Sequence, residues 1–300
     1  MRLTRLETSG LAFAFLGVFF FSLSLPMTKW ALESFDPFFT ATFRPVIASA
    51  IAIPFLILFR VPRIPRQYFR SIIYVTLGTG IIWPVFIALA LARTTSAHVA
   101  VIAAIMPLVT AIFSVMKNDT AVSLQFWFAS SCGTILLILF AISRGGGTGR
   151  DLQADLFTVI AVIASAYCYV EGAELSKAMP GWQVISWVVI FALPVCIPAS
   201  VFIWLHTHNA HPLTFHGVAG MTMIGVFSMY IGFFAWFRGL RDAGTTHGSQ
   251  VQQLQAIMTL GWAARILHEK VTAVMVLIAL GVVASVLWAL STRQRVLERS

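Results

Sequence analysis

Charge is scarce in this chain. Lys and Arg number 20 and Asp and Glu 11, so that 10% of the 300 residues are charged, against about 25% in a soluble globular domain. Hydrophobic residues make up 59% and the mean hydropathy is +0.88. The core of a soluble protein this size cannot hide that much apolar surface, whereas lipid can, which excludes an ordinary soluble fold. Cysteine is also rare. Cys132, Cys168 and Cys196 all lie inside apolar runs and none forms a CxxC pair, which excludes a zinc ribbon or a disulfide framework. No HExxH, no Gly-x-Ser and no aspartate pair within the apolar runs supports an enzyme, and no metal or cofactor is called for. The net charge of +9 does not imply nucleic acid as a partner, because the basic residues are scattered through short breaks rather than gathered on one face.

What is present is a succession of long apolar runs. They occupy roughly 10–32, 38–59, 71–92, 96–116 and 122–142, then 154–176, 183–205, 217–240, 245–266 and 271–291. Each is close to the 20 or so residues a helix needs to cross the hydrocarbon layer, and none alternates as a barrel strand does. The fold class expected is therefore an all-α polytopic membrane protein of ten transmembrane helices. Arg2 and Arg5 precede the first run and no small-residue cleavage site follows it, so it reads as a retained helix. With both termini on the cytoplasmic side, thirteen of the 20 basic residues fall inside, six outside, and Arg44 within a span. The loop holding Arg60, Arg63 and Arg66 is the strongest anchor for that orientation.

Arg144-Gly145-Gly146-Gly147-Thr148-Gly149-Arg150 divides the chain in the middle. It lacks the Lys-Ser/Thr pair of a phosphate loop and reads as a flexible connector. Shifting the chain by about 150 residues superposes spans and loops: Thr94-Thr95-Ser96-Ala97 falls on Gly244-Thr245-Thr246-His247, and Lys117-Asn118-Asp119 on Leu267-His268-Glu269. An odd number of spans per half requires the halves to run in opposite senses, which gives two inverted five-helix repeats. The expected units are a first repeat over 1–143, a linker over 144–152, a second repeat over 153–292 and a cytoplasmic tail over 293–300.

Several short stretches carry a family resemblance. They are Phe43-Arg44-Pro45, Ala88-Leu89-Ala90, Thr94-Thr95-Ser96 and Pro107 in the first half. In the second half they are Trp236-Phe237-Arg238-Gly239-Leu240, Gln250 to Gln255, and His268-Glu269-Lys270, with His268 in place of a usual glycine and Ile257 in place of a proline matching Pro107. On these the chain resembles the drug/metabolite transporter superfamily, and within it the EamA-type families. That resemblance implies a secondary transporter exporting amino acids or other small metabolites across the cell inner membrane, with exchange against protons as a further implication. Multidrug efflux by the same fold is the alternative, and an intramembrane enzyme a more distant one. The partners expected are a small-molecule substrate and the lipid bilayer, with the chain acting as a monomer or homodimer.

Polar groups at lipid depth are costly, so each one is a candidate. Arg44 reads as an anchor for a carboxylate or half of a gating ion pair, with helix packing or snorkelling as the plainer account. Glu171 and Glu174 share a helix face with Tyr167. Glu171 is a candidate proton carrier, while Glu174 beside Lys177 reads as an interfacial pair. His247, Gln250, Gln252, Gln253 and Gln255 interrupt an otherwise apolar run. His247, Gln250 and Gln253 form one stripe, suited to a substrate cavity or to interhelical hydrogen bonds, and His247 is a second candidate for proton sensing. Trp83, Tyr230 and Trp236 sit in the third and eighth spans, able to stack on a substrate or simply to fill the core.

Overall fold

The computed structural model describes residues 5–94, 96–118, 122–141, 151–207, 212–267 and 273–297, and among these residues there is no strand. The connector Arg144 to Arg150, Asp119, and the His268-Glu269-Lys270 stretch lie outside the described residues. Helix α1 runs over Arg5–Ala31, α2 over Pro37–Leu58 and α3 over Arg66–Arg93. Two shorter helices follow, α4 (Ser96–Ala103) and α5 (Met106–Asn118), and then α6 (Leu124–Ala141). Next come α7 (Leu152–Ala178), α8 (Gly181–Thr207) and α9 (Phe215–Ala243). Helix α10 is a single turn, Thr245–Gly248, joined by a 3₁₀ turn at Ser249–Gln252 to α11 (Gln253–Leu267), and α12 covers Ala273–Leu297. Six of these, α1, α2, α3, α7, α8 and α9, are long and apolar enough to cross a membrane. The apolar runs 96–116 and 245–266 differ from expectation: each is broken, by a turn at Ala104-Ile105 and by the 3₁₀ turn.

The helix limits have local causes. Asp36 caps α2, its Oδ1 accepting from the amides of Phe38 (2.7 Å) and Phe39 (3.3 Å), and Pro37 takes the first helical position, where no amide is needed. At the other end, Val61 donates to the Leu56 carbonyl and Arg60 to that of Ile57. Arg60 sits at φ 48°, which is the left-handed terminator position of a Schellman motif. Asp151 caps α7 in the same way as Asp36 caps α2 and pairs with Arg93 at 2.7 Å. Desolvation works against the charged carboxylate, but the Arg93 guanidinium and the two amides prevail and hold it below its usual range.

In lipid the hydrophobic effect does not drive helix against helix, so close approach of small residues decides packing. Gly10, Ala14 and Gly17 of α1 press against Gly232, Gly239 and Ala243 of α9, and a methyl group at Gly239 would overlap the Ala14 backbone. The most extensive pairings are α1 with α9, α2 with α8, α3 with α7, and α6 with α12; α7 also packs on α4 and α5 as α1 packs on α11. A shift of about 150 residues carries each of these pairs onto another or onto itself. The shift also carries a π-helical stretch at Thr76–Ile82 in α3 onto one at Ile224–Gly232 in α9. In α3 the cause is visible: Pro84 has no amide proton to give the turn before it. Helix α9 reaches the same geometry without a proline, between Gly225 and Gly232.

Candidate functional site

Buried polar side chains come together from α2, α6, α7, α9, α11, α12 and the 3₁₀ turn. Gln250 is fully buried; its Oε1 accepts from Ser130 Oγ on α6 (2.7 Å) and from Gln253 Nε2 (2.8 Å). Gln253 in turn receives Ser285 Oγ of α12 at 3.3 Å and gives its amide to the Ser130 carbonyl at 3.4 Å. Gly133 of α6 makes room for this cluster, since any side chain there would strike Gln253 and Ser285. The residues of the expected stripe, His247, Gln250 and Gln253, lie on α10, the 3₁₀ turn and α11 in succession, and Gln250 and Gln253 stay hydrogen-bonded to each other. The two amides knit α6, α11 and α12 together, and His247 lies edge-on to the Phe126 ring at 4.9 Å.

Gln252 points elsewhere. Its Nε2 reaches Met106 Sδ (3.0 Å) and Gln255 Oε1 (3.4 Å), while its Oε1 is buried without a partner. Tyr169 of α7 packs among the rings of Phe21, Phe233 and Trp236. Arg44 is 3% exposed; Nη2 donates to Ser228 Oγ at 2.8 Å, Nε has no partner, and among the described residues no carboxylate pairs with it. Ser228 stands inside the π-helical stretch of α9 and Gln252 inside the 3₁₀ turn, so both groups sit where the helical ladder is irregular, as functional groups often do.

The candidate aromatics divide. Trp236 is wholly buried, 5.4 Å from the Tyr169 ring and 6.0 Å from that of Phe21, with its indole N–H unpartnered. Tyr230 shares a hydrogen bond with Ser186 of α8 at 2.8 Å and meets Phe55 edge-on. Trp83 is buried in the apolar core at the point where the π-helical stretch of α3 ends.

Glu171 and Glu174 also part company. Glu171 is 5% exposed, ion-paired with Lys117 at the end of α5, and accepts the Tyr167 hydroxyl at 2.9 Å. Glu174 makes a more exposed pair with Lys177, 2.7 Å, of the kind that contributes little. Reasoning from the sequence found Glu171 but not Lys117 as its partner, and found Arg44 but not Ser228. A lone serine in an apolar run carries no signal until the neighbouring helix is placed. Apart from all of these, an apolar groove of about 450 Å³ opens between α2, α8 and α9, lined by Phe39, Phe43, Trp204 and Leu205 among others.

Comparison with known proteins agrees with this architecture. The model of the EamA-like transporter family matches twice, over residues 8–144 and 152–291. The chain is 35% identical to "Uncharacterized transporter YdeK" of Bacillus subtilis (strain 168) over 279 residues, 93% of this chain and 96% of that one. A solved structure described only as "Crystal structure of protein" superposes with a TM-score of 0.75 at 15% identity, over 96% of this chain and 99% of the other, which shows a shared fold. With apolar helices long enough to span, two matches in tandem and a named transporter as relative, this multi-pass membrane protein belongs to the EamA-like transporter family.

Proposed function

We propose that the chain is a secondary transporter that exports amino acids or other small metabolites across the inner membrane. It has ten spans in two inverted five-helix halves, with both termini in the cytoplasm. The observation that carries this reading is the recurrence of the packing pattern at an offset near 150: α1 on α9 corresponds to α7 on α3, and both α3 and α9 contain a π-helical stretch at matching positions. Inverted repeats place the substrate site at their interface near the bilayer midplane, often against interrupted helices, and rocking between two packed states alternates access. The interrupted elements here are the α4–α5 break and the 3₁₀ turn before α11. Lys117 and Glu171 join helices from the two halves, which supports Glu171 as the group whose protonation would loosen one end of the bundle and couple flux to protons.

The test is uptake of a labelled amino-acid panel into proteoliposomes with and without a pH gradient, for the wild type and Gln250→Ala. Saturable flux in the wild type supports the reading, with Gln250→Ala reporting on the interhelical cluster, and dependence on the gradient assigns proton exchange. Saturable flux indifferent to pH removes the coupling and leaves a facilitator. Absence of flux for every amino acid discards that substrate class.

A further inference from the structure

We infer that the arginine-rich loop between α2 and α3 seats the phosphate of an anionic phospholipid, whose acyl chains lie on the aromatic end of the same hairpin. This rests on the proposed orientation, which puts the loop in the cytoplasm and its lipid in the inner leaflet.

Charge carries the first part of the argument. Arg60, Arg63, Arg66 and Arg70 fall close together, and no Asp or Glu occurs anywhere between Asp36 and Asp119. All four arginines are exposed. Arg70 donates to the Tyr74 hydroxyl at 3.3 Å. Among the described residues the guanidinium groups of Arg60, Arg63 and Arg66 have neither an ion pair nor a hydrogen bond. By contrast Arg93, Lys117 and Lys177 face Asp151, Glu171 and Glu174. Membrane topology asks for basic residues at a cytoplasmic end. It asks nothing of the frame that carries them.

That frame is built. Arg60 takes the left-handed position at φ 48°, and the amide of Val61 closes back on the Leu56 carbonyl at 3.0 Å. Pro62 and Pro65 fix the backbone on either side of Ile64. The Ile64 side chain is buried in the main core cluster and pegs the loop down, while Arg63 and Arg66 stay exposed around it. The amide of Tyr68 returns to the Pro65 carbonyl at 3.0 Å.

Apolar surface adjoins the arginines on the helix side. Ile57, Leu58 and Phe59 at the end of α2, and Phe69 at the start of α3, are exposed. Trp182, at the start of α8, meets Phe59 at 5.4 Å and Phe55 at 6.4 Å. Aromatic belts of this kind mark the headgroup level of a bilayer. Arginine forks bind phosphate oxygens in pairs, and polybasic segments at the cytoplasmic surface attract anionic lipid. Charge followed by apolar surface is the order of a phospholipid, phosphate first and chains after. A free phosphate would use the charge alone.

The experiment takes the full chain in detergent micelles at low salt and reads bound lipid by native mass spectrometry. Phosphatidylglycerol competes against phosphatidylcholine with the same chains, and inorganic phosphate is added as a separate competitor. Each arginine near the surface supplies about fivefold, so the wild type is expected to prefer phosphatidylglycerol by about a hundredfold. Raising the salt is expected to shrink that preference, since exposed charges are screened. The variant Arg60→Asn/Arg63→Gln/Arg66→Gln keeps a residue suited to the left-handed position and is expected to retain a preference of no more than about fivefold. Inorganic phosphate is expected to displace no lipid. A wild-type preference below about threefold, a preference that the triple variant keeps, or displacement by inorganic phosphate overturns the inference. If the triple variant does not insert, Arg63→Gln alone decides, with an expected loss of about fivefold. Gln67→Cys reads the orientation separately, with the wild type as blank. Labelling by a membrane-impermeant maleimide is expected in inverted vesicles only. Labelling from outside intact cells overturns the proposed orientation, and with it the inner leaflet as the source, whatever the lipid preference.

Discussion

Two charges are buried to nearly the same depth in this molecule and treated in opposite ways. Glu171 is 5% exposed and fully engaged, with Lys117 on one side and the Tyr167 hydroxyl on the other. Arg44 is 3% exposed and leans on one neutral hydroxyl. The glutamines repeat the contrast at lower stakes: Gln250 and Gln253 satisfy each other through Ser130 and Ser285, while Gln252 keeps an orphan oxygen a few residues away. Burial alone thus says little about role. What separates a group that holds helices together from one with room for a further partner is whether its hydrogen-bonding capacity is already used.

The sharpest way to break that comparison is to make Glu171 resemble Arg44. Lys117→Met strands the carboxylate and should destabilise the protein by about 3–5 kcal/mol, read as a large fall in detergent unfolding temperature. Adding Glu171→Gln to it should return most of that loss; if the double variant is as weak as the single one, the pair is not what stabilises this end of the bundle. Gln250→Ala leaves Ser130 Oγ and the Gln253 amide short of a partner and should cost about 1–3 kcal/mol in the same assay. Its effect on substrate selectivity should be small, because the residue is occupied with other helices. At the low end, Arg44→Met removes a charge with no counter-ion. The ligand-free protein should be as stable or more stable, because the desolvation cost of the cation goes with it and only one hydrogen bond, worth about 1 kcal/mol, is lost. A loss as large as that of Lys117→Met would show that Arg44 has a structural partner after all.

Much of the fold was legible because lipid imposes one strict demand, an uninterrupted apolar run of sufficient length, and the runs beginning near residues 10, 38 and 154 match α1, α2 and α7 to within several residues. Less legible were departures from the helical ladder. Pro84 foretells the π-helical stretch of α3, yet α9 makes the same detour with no proline. The 3₁₀ turn at Ser249–Gln252 contains no proline to mark it in the sequence, and the Ser130 of α6 that Gln250 meets within it is 120 residues away in the chain. The stripe expected from i, i+3, i+6 spacing assumed one regular helix; the turn interrupts that helix while Gln250 and Gln253 stay hydrogen-bonded. Arg44 and Glu171 stood out because charge at that depth is rare; their surroundings did not, because Ser228 and Lys117 become neighbours only when helices distant in sequence meet.

The close fit of α1 on α9, and of α3 on α7, has a consequence for how the chain is assembled. Each fit takes one helix from before the glycine-rich connector and one from after it, so neither portion closes a core by itself. The two portions are interleaved, like fingers of clasped hands, and the covalent joint between them is incidental to the clasp. Two polypeptides severed in that connector would each be degraded when produced alone and would recover the native protein when produced together.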